Sequence, residues 1–467
     1  MGAPSSPEKQ DPSIAPGDFQ RRRRRMPVVY TIWLLDQIRV QLMRIIDLML
    51  ALSILLCLSP LWGIVLLLAL RQSPRFIREV RVGRWYESFN LYRVNLPVTG
   101  ISGLFRRWHL DSFPILLAII SGKMAFVGPR ATAPGELTPR DSITRQRYEV
   151  RPGLVGLWWV KHRGNIDFDP EAVIDAEYIA TRSTRGDLGV LARAGVVLAY
   201  GGGEQVVASN AMEILNIPIH NLSMMDVLDA IQAMAAGEAT KQVAFVNADC
   251  ANIAYRDSEY LTILHRCAMV LADGIGMKLA GQLLKLPIRQ NVNGTDLFPL
   301  LCERLSGATQ GLYLLGGKPG VVDGVVAWIH AHYPAVVVNG YHHGYFAPED
   351  EPARIAEIAA SNAAVLLVAF GVPRQEKWLA ERLSQTNVRV GMGVGGLFDF
   401  YSGTIPRAPI WMREIGMEWF FRFLQEPGRL WKRYFIGNAV FLWRVLRERR
   451  KHRPASKTAD NPPTTES

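Results

Sequence analysis

The sequence predicts an α/β protein with two folded domains, the first attached to a membrane and the second built on a largely parallel sheet. Residues 48–70 carry no charged side chain, and an apolar run of about 20 residues is long enough for a membrane helix. After residue 200, short β-branched runs alternate with helix-like stretches, which is typical of domains with parallel strands. The chain has 467 residues, 49% of them hydrophobic, and this is enough to form a core in each of two or three domains.

The formal charge of +11 favours an anionic partner, which a membrane surface, a nucleic acid or a phosphorylated substrate would each provide. No recognisable nucleic-acid-binding module accompanies the charge, so we expect no nucleic-acid partner. The four cysteines show no CxxC spacing, which argues against a disulfide framework or a zinc site and favours a reducing, cytosolic location. They are Cys57, Cys250, Cys267 and Cys302.

The apolar segment is interrupted near its middle by Ser59-Pro60. Proline removes a backbone donor and clashes with the preceding turn, so the helix should break there. Arginines flank the segment on both sides, and basic residues are enriched on the cytoplasmic side of membranes. A re-entrant helix that returns to the same side explains both flanks, and a kinked spanning helix is the alternative. Residues 1–27, which are basic at Arg21–Arg25, and residues 454–467 are expected to be disordered tails.

The first half of the chain contains a series of short motifs, which are Ser59-Pro60, Arg81-Val82-Gly83-Arg84, Leu110-Asp111, Gly122-Lys123-Met124, Val127-Gly128-Pro129-Arg130 and Arg151-Pro152-Gly153-Leu154-Val155-Gly156. Through these motifs the chain resembles the bacterial sugar transferases over about residues 28–200. These are monotopic phosphoglycosyl transferases that move a sugar 1-phosphate from a UDP-sugar to polyprenyl phosphate. The resemblance implies a small α/β domain on the membrane, and we expect it to occupy residues 28–203.

The resemblance implies that Asp111 is a nucleophile that attacks phosphorus, and that Arg81 and Arg130 bind phosphate. In that family a glutamate follows the aspartate and helps to hold Mg²⁺, whereas this chain has Ser112. A neutral hydroxyl is a weaker ligand for a hard cation than a carboxylate. Two interpretations therefore stay open: a membrane-docking domain without turnover, which we favour, and a working enzyme that requires Mg²⁺.

In the second half, polar residues follow the predicted strands, whose carboxyl ends usually bind ligands in parallel sheets. Asn247 follows the strand at 242–246, and Asp273 follows the strand at 268–271. Further strands are predicted at 311–315, 335–338, 364–369 and 388–390. The turn-forming stretch Tyr200–Glu204 marks the domain boundary, and we expect a Rossmann-like domain at residues 210–447 that ends in basic helices.

This half contains a longer series of motifs, which are Val246-Asn247-Ala248, Ala272-Asp273-Gly274-Ile275-Gly276, Asn293-Gly294-Thr295-Asp296-Leu297, Gly316-Gly317-Lys318-Pro319-Gly320, Gly371-Val372-Pro373-Arg374-Gln375-Glu376, Gly395-Gly396-Leu397-Phe398-Asp399-Phe400, Arg407-Ala408-Pro409 and Glu418-Trp419. Through these motifs it is similar to the WecG/TagA/CpsF glycosyltransferases over about residues 212–445. The family transfers a sugar from a nucleotide donor to a polyprenyl-diphosphate-linked sugar with inversion and without a metal, so the resemblance implies neither a metal nor a cofactor here.

Asp273 is the candidate general base, because direct displacement at an anomeric carbon needs one proton acceptor near the attacking hydroxyl. The alternative is an aspartate that caps the following helix. Gly316, Gly317 and Lys318 precede a helix and suit a diphosphate, although a plain glycine-rich turn fits equally well. Gln375 and Glu376 are predicted donor contacts or, alternatively, an ordinary first-turn pair on a solvated helix. The remaining candidate substrate-binding residues are Asn247, Asn293, Thr295, Asp296 and Arg407.

The C-terminal segment places aromatic residues at helical spacing among basic ones, from Trp431 to Val445. Such a helix lies in the headgroup region of an anionic membrane or packs one face into the core, and the pattern does not decide between them. Relatives use arginines of this tail at the active site. The resemblance therefore adds Arg413, Arg422, Arg429 and Arg433 as candidate substrate contacts.

The sequence thus predicts a glycosyltransferase at the cytoplasmic face of the inner (plasma) membrane. We expect it to move a sugar from a UDP-sugar to a polyprenyl-diphosphate-linked sugar during exopolysaccharide or cell-envelope glycan synthesis. The alternative is a bifunctional enzyme whose first domain also transfers sugar 1-phosphate, so that the tether raises the local concentration of the lipid carrier. The sugars, the linkage and the oligomeric state are left open.

Overall fold

The computed structural model describes residues 38–70, 72–97, 100–107, 110–136, 142–164, 166, 169–200, 209–308 and 311–451. These residues form two compact units. The first unit ends at Gly156 and also contains Asp175–Leu191, and the second contains Leu157–Ile174 and the chain from Ala192 onward. The predicted tails at 1–27 and 454–467 and the predicted boundary at residues 201–204 lie outside the described residues.

Two consecutive apolar helices begin the described chain: α1 at Ile38–Cys57 and α2 at Ser59–Ala69. The predicted break is present, one residue before Ser59, and Pro60 lies in the first turn of α2, where its missing N–H does no harm. Helix α1 is long and apolar enough to cross a membrane. It extends ten residues further toward the N-terminus than the uncharged segment.

The extension is possible because the charged residues of α1 bond to main-chain groups of the first unit. Arg44 donates to the carbonyl oxygens of Ile119 and Ile120 at 2.5 and 2.7 Å. Asp47 accepts from the N–H of Phe126 at 3.1 Å. The sequence pattern missed these ten residues because such partners cannot be seen from local charge.

The rest of the first unit is a small α/β structure. Strands β1 (Phe76–Val82) and β2 (Ser88–Val94) pair antiparallel, and β3 (Ala125–Val127) and β4 (Gly153–Val155) pair parallel. The helices up to residue 200 are α3 (Gly100–Arg107), α4 (Ile115–Ile120), α5 (Ser142–Gln146), α6 (Leu157–Gly164, in the second unit), α7 (Glu171–Thr181) and α8 (Thr184–Tyr200).

The second unit contains a six-stranded parallel sheet in the order β10-β9-β11-β12-β7-β8, which confirms the predicted α/β class. A short hairpin of β5 (Ala211–Ile214) and β6 (Ile217–His220) precedes it. The six strands are β7 (Lys241–Val246), β8 (Met269–Ala272), β9 (Leu312–Gly316), β10 (Val338–His342), β11 (Val365–Ala369) and β12 (Val390–Gly393).

Helices cover both faces of this sheet, because alternate strand residues point to opposite sides. Along β9, Leu312 and Leu314 join one core, while Tyr313 and Leu315 join the other. The helices are α9 (Met224–Ala236), α10 (Ala248–Ala254), α11 (Ser258–Arg266), α12 (Ile275–Leu284), α13 (Gly294–Leu305), α14 (Val321–His332), α15 (Glu351–Ala360), α16 (Arg374–Arg382) and α17 (Leu397–Tyr401).

The chain ends in the predicted basic helices, α18 (Ile410–Glu414), α19 (Glu418–Gln425), α20 (Pro427–Trp431) and α21 (Asn438–Lys451), with a π-helical turn at Lys432–Gly437. Phe441 and Val445 are fully buried, and α21 packs on α10 and α12. Trp431, Phe435 and Trp443 are 44%, 53% and 59% exposed. One face of this segment is therefore a core face, which confirms that alternative for part of it, and the other is an exposed aromatic surface, whose contact with a membrane stays a prediction.

Candidate active site

The centre of the site lies where β7 and β8 end. Asn247 begins α10, and its side-chain oxygen accepts from the N–H groups of Asp249 and Cys250 at 3.0 and 3.1 Å. Asp273 follows β8, and its N–H donates to the carbonyl of Val246 at 2.9 Å. The adjacent ends of two parallel strands thereby bring two predicted site residues together.

Asp273 is not a helix cap. The residue that precedes α12 is Gly274, with φ of 86°, and no side chain caps this helix. A positive φ favours glycine there, and the Gly274 N–H donates to the side-chain oxygen of Asn291 at 2.5 Å. The carboxylate of Asp273 is thus not used in the cap, and it lines the cavity at this edge of the sheet.

The environment of Asp273 suits a proton acceptor. Burial raises the pKa of its carboxyl to about 6, the negative charge of Glu418 adds to the rise, and Arg433 opposes it. A carboxylate with a pKa near 6 is ionised at neutral pH but is a stronger base than an ordinary aspartate. The arrangement therefore favours general-base chemistry.

A second wall of the cavity is the start of α13. Asn293 caps this helix by accepting from the Asp296 N–H at 2.7 Å, and its amide donates to the Asp296 carboxylate at 2.7 Å. Arg407 and Arg413 bond to the other oxygen of that carboxylate, Arg413 at 3.3 Å. Asp296 is thus held by three side chains and orients the two arginines.

The C-terminal helices form the basic wall. Nε of Arg433 lies 3.0 Å from a carboxylate oxygen of Asp249. The guanidinium of Arg422 lies 5.0 Å from the ring centre of Phe400, and its buried Nε has no hydrogen-bond partner among the described residues. Arg422 lines the cavity, so its positive charge lies at the wall that an entering anion would meet.

Eight of the predicted residues line this one cavity. They are Asn247, Asp273, Asn293, Thr295, Asp296, Arg413, Arg422 and Arg433. Residues that were not predicted as site residues also line it, namely Ile166, Asp249, Asn291, Phe400, Glu418, Trp419, Tyr434 and Asn438. The position of Asp249 after a strand and the motifs that contain Phe400, Glu418 and Trp419 were signals for four of them, whereas Ile166 had none.

The glycine-rich turn after β9 lies outside the cavity lining. A side chain on Gly316, at φ of 132°, would come within 2.6 Å of the carbonyl oxygen of Ala369, so this glycine is required by the close approach of β9 and β11. Lys318 is exposed. The turn is thus explained by strand packing, and its binding of diphosphate stays a prediction.

Gln375 and Glu376 are neither solvated nor part of the cavity lining, since they are 2% and 0% exposed. The side-chain oxygen of Gln375 accepts from the N–H groups of Gly371 and Gly395 at 3.2 and 3.0 Å, and its amide donates to Glu376 at 2.8 Å. The alternative of a solvated first-turn pair is therefore wrong, since Gln375 is buried and joins two loops. The predicted contact of Gln375 and Glu376 with the donor stays a prediction.

Two predicted arginines also lie outside the cavity lining. Arg407 supports it from behind, through Asp296 and through Glu418 at 3.4 Å. Arg429 is 72% exposed and pairs with Glu426 at 3.2 Å. Arg407 thus orients cavity residues, whereas Arg429 is a surface residue.

In the first unit, Asp111 is buried, and the hydroxyl of Ser112 lies 3.4 Å from its carboxylate. Arg81 pairs with Glu79 at 2.5 Å, and Arg130 pairs with Glu136 at 3.1 Å. Among the described residues, no three His, Cys, Asp or Glu side chains are grouped to hold a metal ion. Asp111 and Ser112 supply one carboxylate for a Mg²⁺ ion, which binds proteins through one or two carboxylates together with substrate phosphates.

Comparison with known proteins identifies both halves. The chain belongs to the glycosyl transferase WecG/TagA/CpsF family, whose model matches residues 212–455. The model described as bacterial sugar transferase matches residues 38–200. Both resemblances inferred from the motifs are thereby confirmed, in the expected order along the chain.

Curated relatives match the second half. The N-acetylglucosaminyldiphosphoundecaprenol N-acetyl-beta-D-mannosaminyltransferase of Bacillus subtilis (strain 168) is 31% identical over 236 residues, which cover 50% of this chain and 91% of the relative. The enzyme of the same name from Staphylococcus aureus (strain MW2) is 28% identical over 250 residues, which cover 52% of this chain and 95% of the relative. Apart from Ile166, the residues that line the cavity lie within residues 212–455, which the family model matches.

Proposed function

We propose that the second unit transfers a sugar from a UDP-sugar to a polyprenyl-diphosphate-linked sugar in the synthesis of a cell-envelope glycan or exopolysaccharide. The proposal rests on one observation: a single cavity is lined both by Asp273, a carboxylate with a raised pKa, and by a basic wall of three arginines. The names of the relatives support an acceptor of the N-acetylglucosaminyl-diphosphoundecaprenol type and make UDP-N-acetylmannosamine the first donor to test.

In this mechanism Asp273 accepts the proton of the acceptor hydroxyl as its oxygen forms a bond to the anomeric carbon. The bond from that carbon to the diphosphate breaks, and UDP leaves with the electron pair. Single displacement inverts the anomeric carbon. Arg413 and Arg422 stabilise the departing diphosphate, because fixed cations in a site that excludes water act most strongly on developing charge.

The test of this mechanism is UDP release from a panel of UDP-sugars with N-acetylglucosaminyl-diphosphoundecaprenol in detergent. Asp273→Asn should lower kcat/KM by about 10² to 10⁴, the usual contribution of a general base, while UDP binding is retained. Asp323→Asn, at an exposed site in the first turn of α14, is the matched control. Activity of Asp273→Asn within a few-fold of this control would refute the assignment of the base.

We place the reaction at the cytoplasmic face of the membrane, with α1 and α2 re-entering it. Met49, Leu56 and Leu67 are 64%, 76% and 66% exposed, which is unusual for apolar side chains in water. The ten residues from Leu48 to Cys57 span about 15 Å as a helix, roughly half of a hydrocarbon core of about 30 Å. The break at Leu58 would thus fall near mid-depth.

The exposed aromatic surface of the C-terminal helices supplies a second membrane contact. Lys432 lies over the ring of Trp431, and Arg447 lies over the ring of Trp443, both at 5.7 Å. Aromatic and basic side chains on one exposed face suit the headgroup region of an anionic leaflet. The same helices line the cavity, so this contact would bring the cavity close to a lipid-linked acceptor.

The second candidate is a bifunctional enzyme, which the bacterial sugar transferase match and the buried Asp111 favour. The lack of a second carboxylate at Ser112 favours a docking domain instead. The measurement is UMP release from UDP-sugars with polyprenyl phosphate and Mg²⁺, with Asp111→Asn as the blank. We expect no release above the blank, and a signal that Asp111→Asn abolishes would establish the bifunctional enzyme.

A further inference from the structure

Helix α18 connects the cavity to a buried ion cluster. It has five residues, and its last two point to different partners. Arg413 lines the cavity and bonds to Asp296 at 3.3 Å. The next residue, Glu414, is 5% exposed, so its carboxylate needs counter-charges inside the protein.

The counter-charges of Glu414 come from far away in the sequence. Arg193 of α8 bonds to one carboxylate oxygen, and Nζ of Lys161 of α6 lies 3.8 Å from the other. The two basic side chains are themselves largely buried, at 15% and 14% exposure. All three residues belong to the second compact unit, although Lys161 and Arg193 lie within residues 38–200, which the bacterial sugar transferase model matches.

The segment that contains Lys161 and Gly164 packs its backbone closely on α18, and it reaches the cavity two residues later. A side chain on Gly164 would come within 2.4 Å of the carbonyl oxygen of Glu414, so only glycine permits this contact. Two residues later, Ile166 lines the cavity beside Arg413. The segment therefore touches the site through its backbone, through an ion cluster and through one apolar side chain.

We infer that Lys161 and Arg193 are positioning residues for the glycosyltransferase, and that residues 157–164 and Ile166 complete its site. By neutralising Glu414 they keep α18 buried, and α18 in turn holds Arg413 at the diphosphate. Without them, a buried carboxylate would lack a partner and would turn toward water. Because α18 is only one and a half turns long, that rotation would carry Arg413 away from Asp296.

The inference rests on the proposed role of Arg413 in binding the diphosphate of UDP. Its test is the affinity of the full-length protein for UDP, measured by isothermal titration calorimetry, which does not require the sugar to be known. Arg413→Ala should weaken UDP binding about tenfold, as expected for loss of one charge-assisted contact. Arg193→Met should weaken it to a similar extent, whereas Arg185→Met, at an exposed site on the same helix, should not.

A double variant separates positioning from general damage. If Arg193 acts through Arg413, the variant carrying both changes should bind UDP no more weakly than Arg413→Ala alone, because coupled residues are not additive. Arg193→Lys keeps the charge and should retain most of the affinity. This variant also provides a test should Arg193→Met fold poorly, and melting temperatures of all variants identify such a case.

Three results would each overturn the inference. The first is that Arg193→Met binds UDP as tightly as the Arg185→Met control. The second is that the charge-conserving Arg193→Lys loses as much UDP affinity as Arg193→Met, and the third is that the losses of Arg193→Met and Arg413→Ala are strictly additive. A failure of the proposed function gives a different pattern, since the wild-type protein would then neither bind UDP nor release it from UDP-sugars, whereas a failure of this inference alone leaves both intact in the wild type.

Discussion

The raised pKa of Asp273 leads to a specific pH dependence of transfer. If Asp273 is the base, only its ionised form is active, so activity is present above its pKa and is lost as the pH falls through it. With a pKa of about 6, about nine-tenths of the carboxyl is ionised at pH 7 and about one-tenth at pH 5. The value of kcat/KM should therefore fall about tenfold between pH 7 and pH 5.

An ordinary aspartate would behave differently. With its usual pKa of about 3.9 it would be more than nine-tenths ionised at pH 5, and kcat/KM would hardly change over the same range. The assay is initial UDP release at low substrate concentration in buffers of constant ionic strength, since kcat/KM reports the free enzyme. A flat profile from pH 5 to pH 7 would refute the assignment.

The causes of the shift provide a second perturbation. After burial, the largest contribution is the negative charge of Glu418, so Glu418→Gln should move the acid limb of the profile to lower pH. Glu349→Gln, at an exposed position, removes a carboxylate from elsewhere and should leave the limb in place. If the acid limb of the pH profile does not move in Glu418→Gln, a group other than Asp273 controls the loss of activity.

The sequence predicted the parallel sheet because its buried strands are runs of β-branched and apolar residues. It misplaced the carboxyl ends of two strands, which were predicted to stop at residues 338 and 390. Strand β12 continues through Gly391, where a side chain would meet that of Leu383 at 2.5 Å. Strand β10 continues through Gly340, where a side chain would meet the ring of Tyr313 at 2.5 Å. In a sequence pattern a glycine usually marks the end of a strand, but at Gly340 and Gly391 it allows close packing.

The candidate site was predictable where a motif follows a strand, as Asn247 and Asp273 do. For Gln375 the sequence left open a donor contact and a solvated first-turn pair, and the burial of this side chain excludes only the second. Its partners are N–H groups 4 and 20 residues away, and these pairings exist only in the folded chain. Ile166 and the ion cluster of Glu414 were unpredictable for the same reason, since Arg193 lies 221 residues from its partner.

Further expected outcomes test the packing and the topology. Burial raises the pKa of Glu376 to about 7. Its protonated carboxyl therefore contributes stability that is fully present below about pH 4.5, and up to about 3 kcal/mol of this contribution to the free energy of unfolding is lost as the pH rises through 7. Glu376→Gln should therefore gain melting temperature relative to wild type from pH 5 to pH 8, and a pH-independent difference would contradict this. Arg444 bonds to Asn252 at 2.7 Å and lies 4.0 Å over Tyr255, so Arg444→Met should destabilise the second unit by about 2 kcal/mol in chemical denaturation, and a loss below the error of the measurement would show that the contact contributes nothing. The last outcome concerns the membrane. Single cysteines at Gln41 and Gln72 lie before and after the apolar part of α1 and α2, so a re-entrant pair of helices places both on the cytosolic side. In a variant whose native Cys57 is replaced by Ser, a membrane-impermeant maleimide should label both cysteines only after the membrane is opened. We expect this result because the re-entrant arrangement keeps the arginines on both flanks of the segment on the cytosolic side. Labelling of the two positions from opposite sides would show that the segment spans the membrane and that the break at Leu58 is a kink within a single crossing.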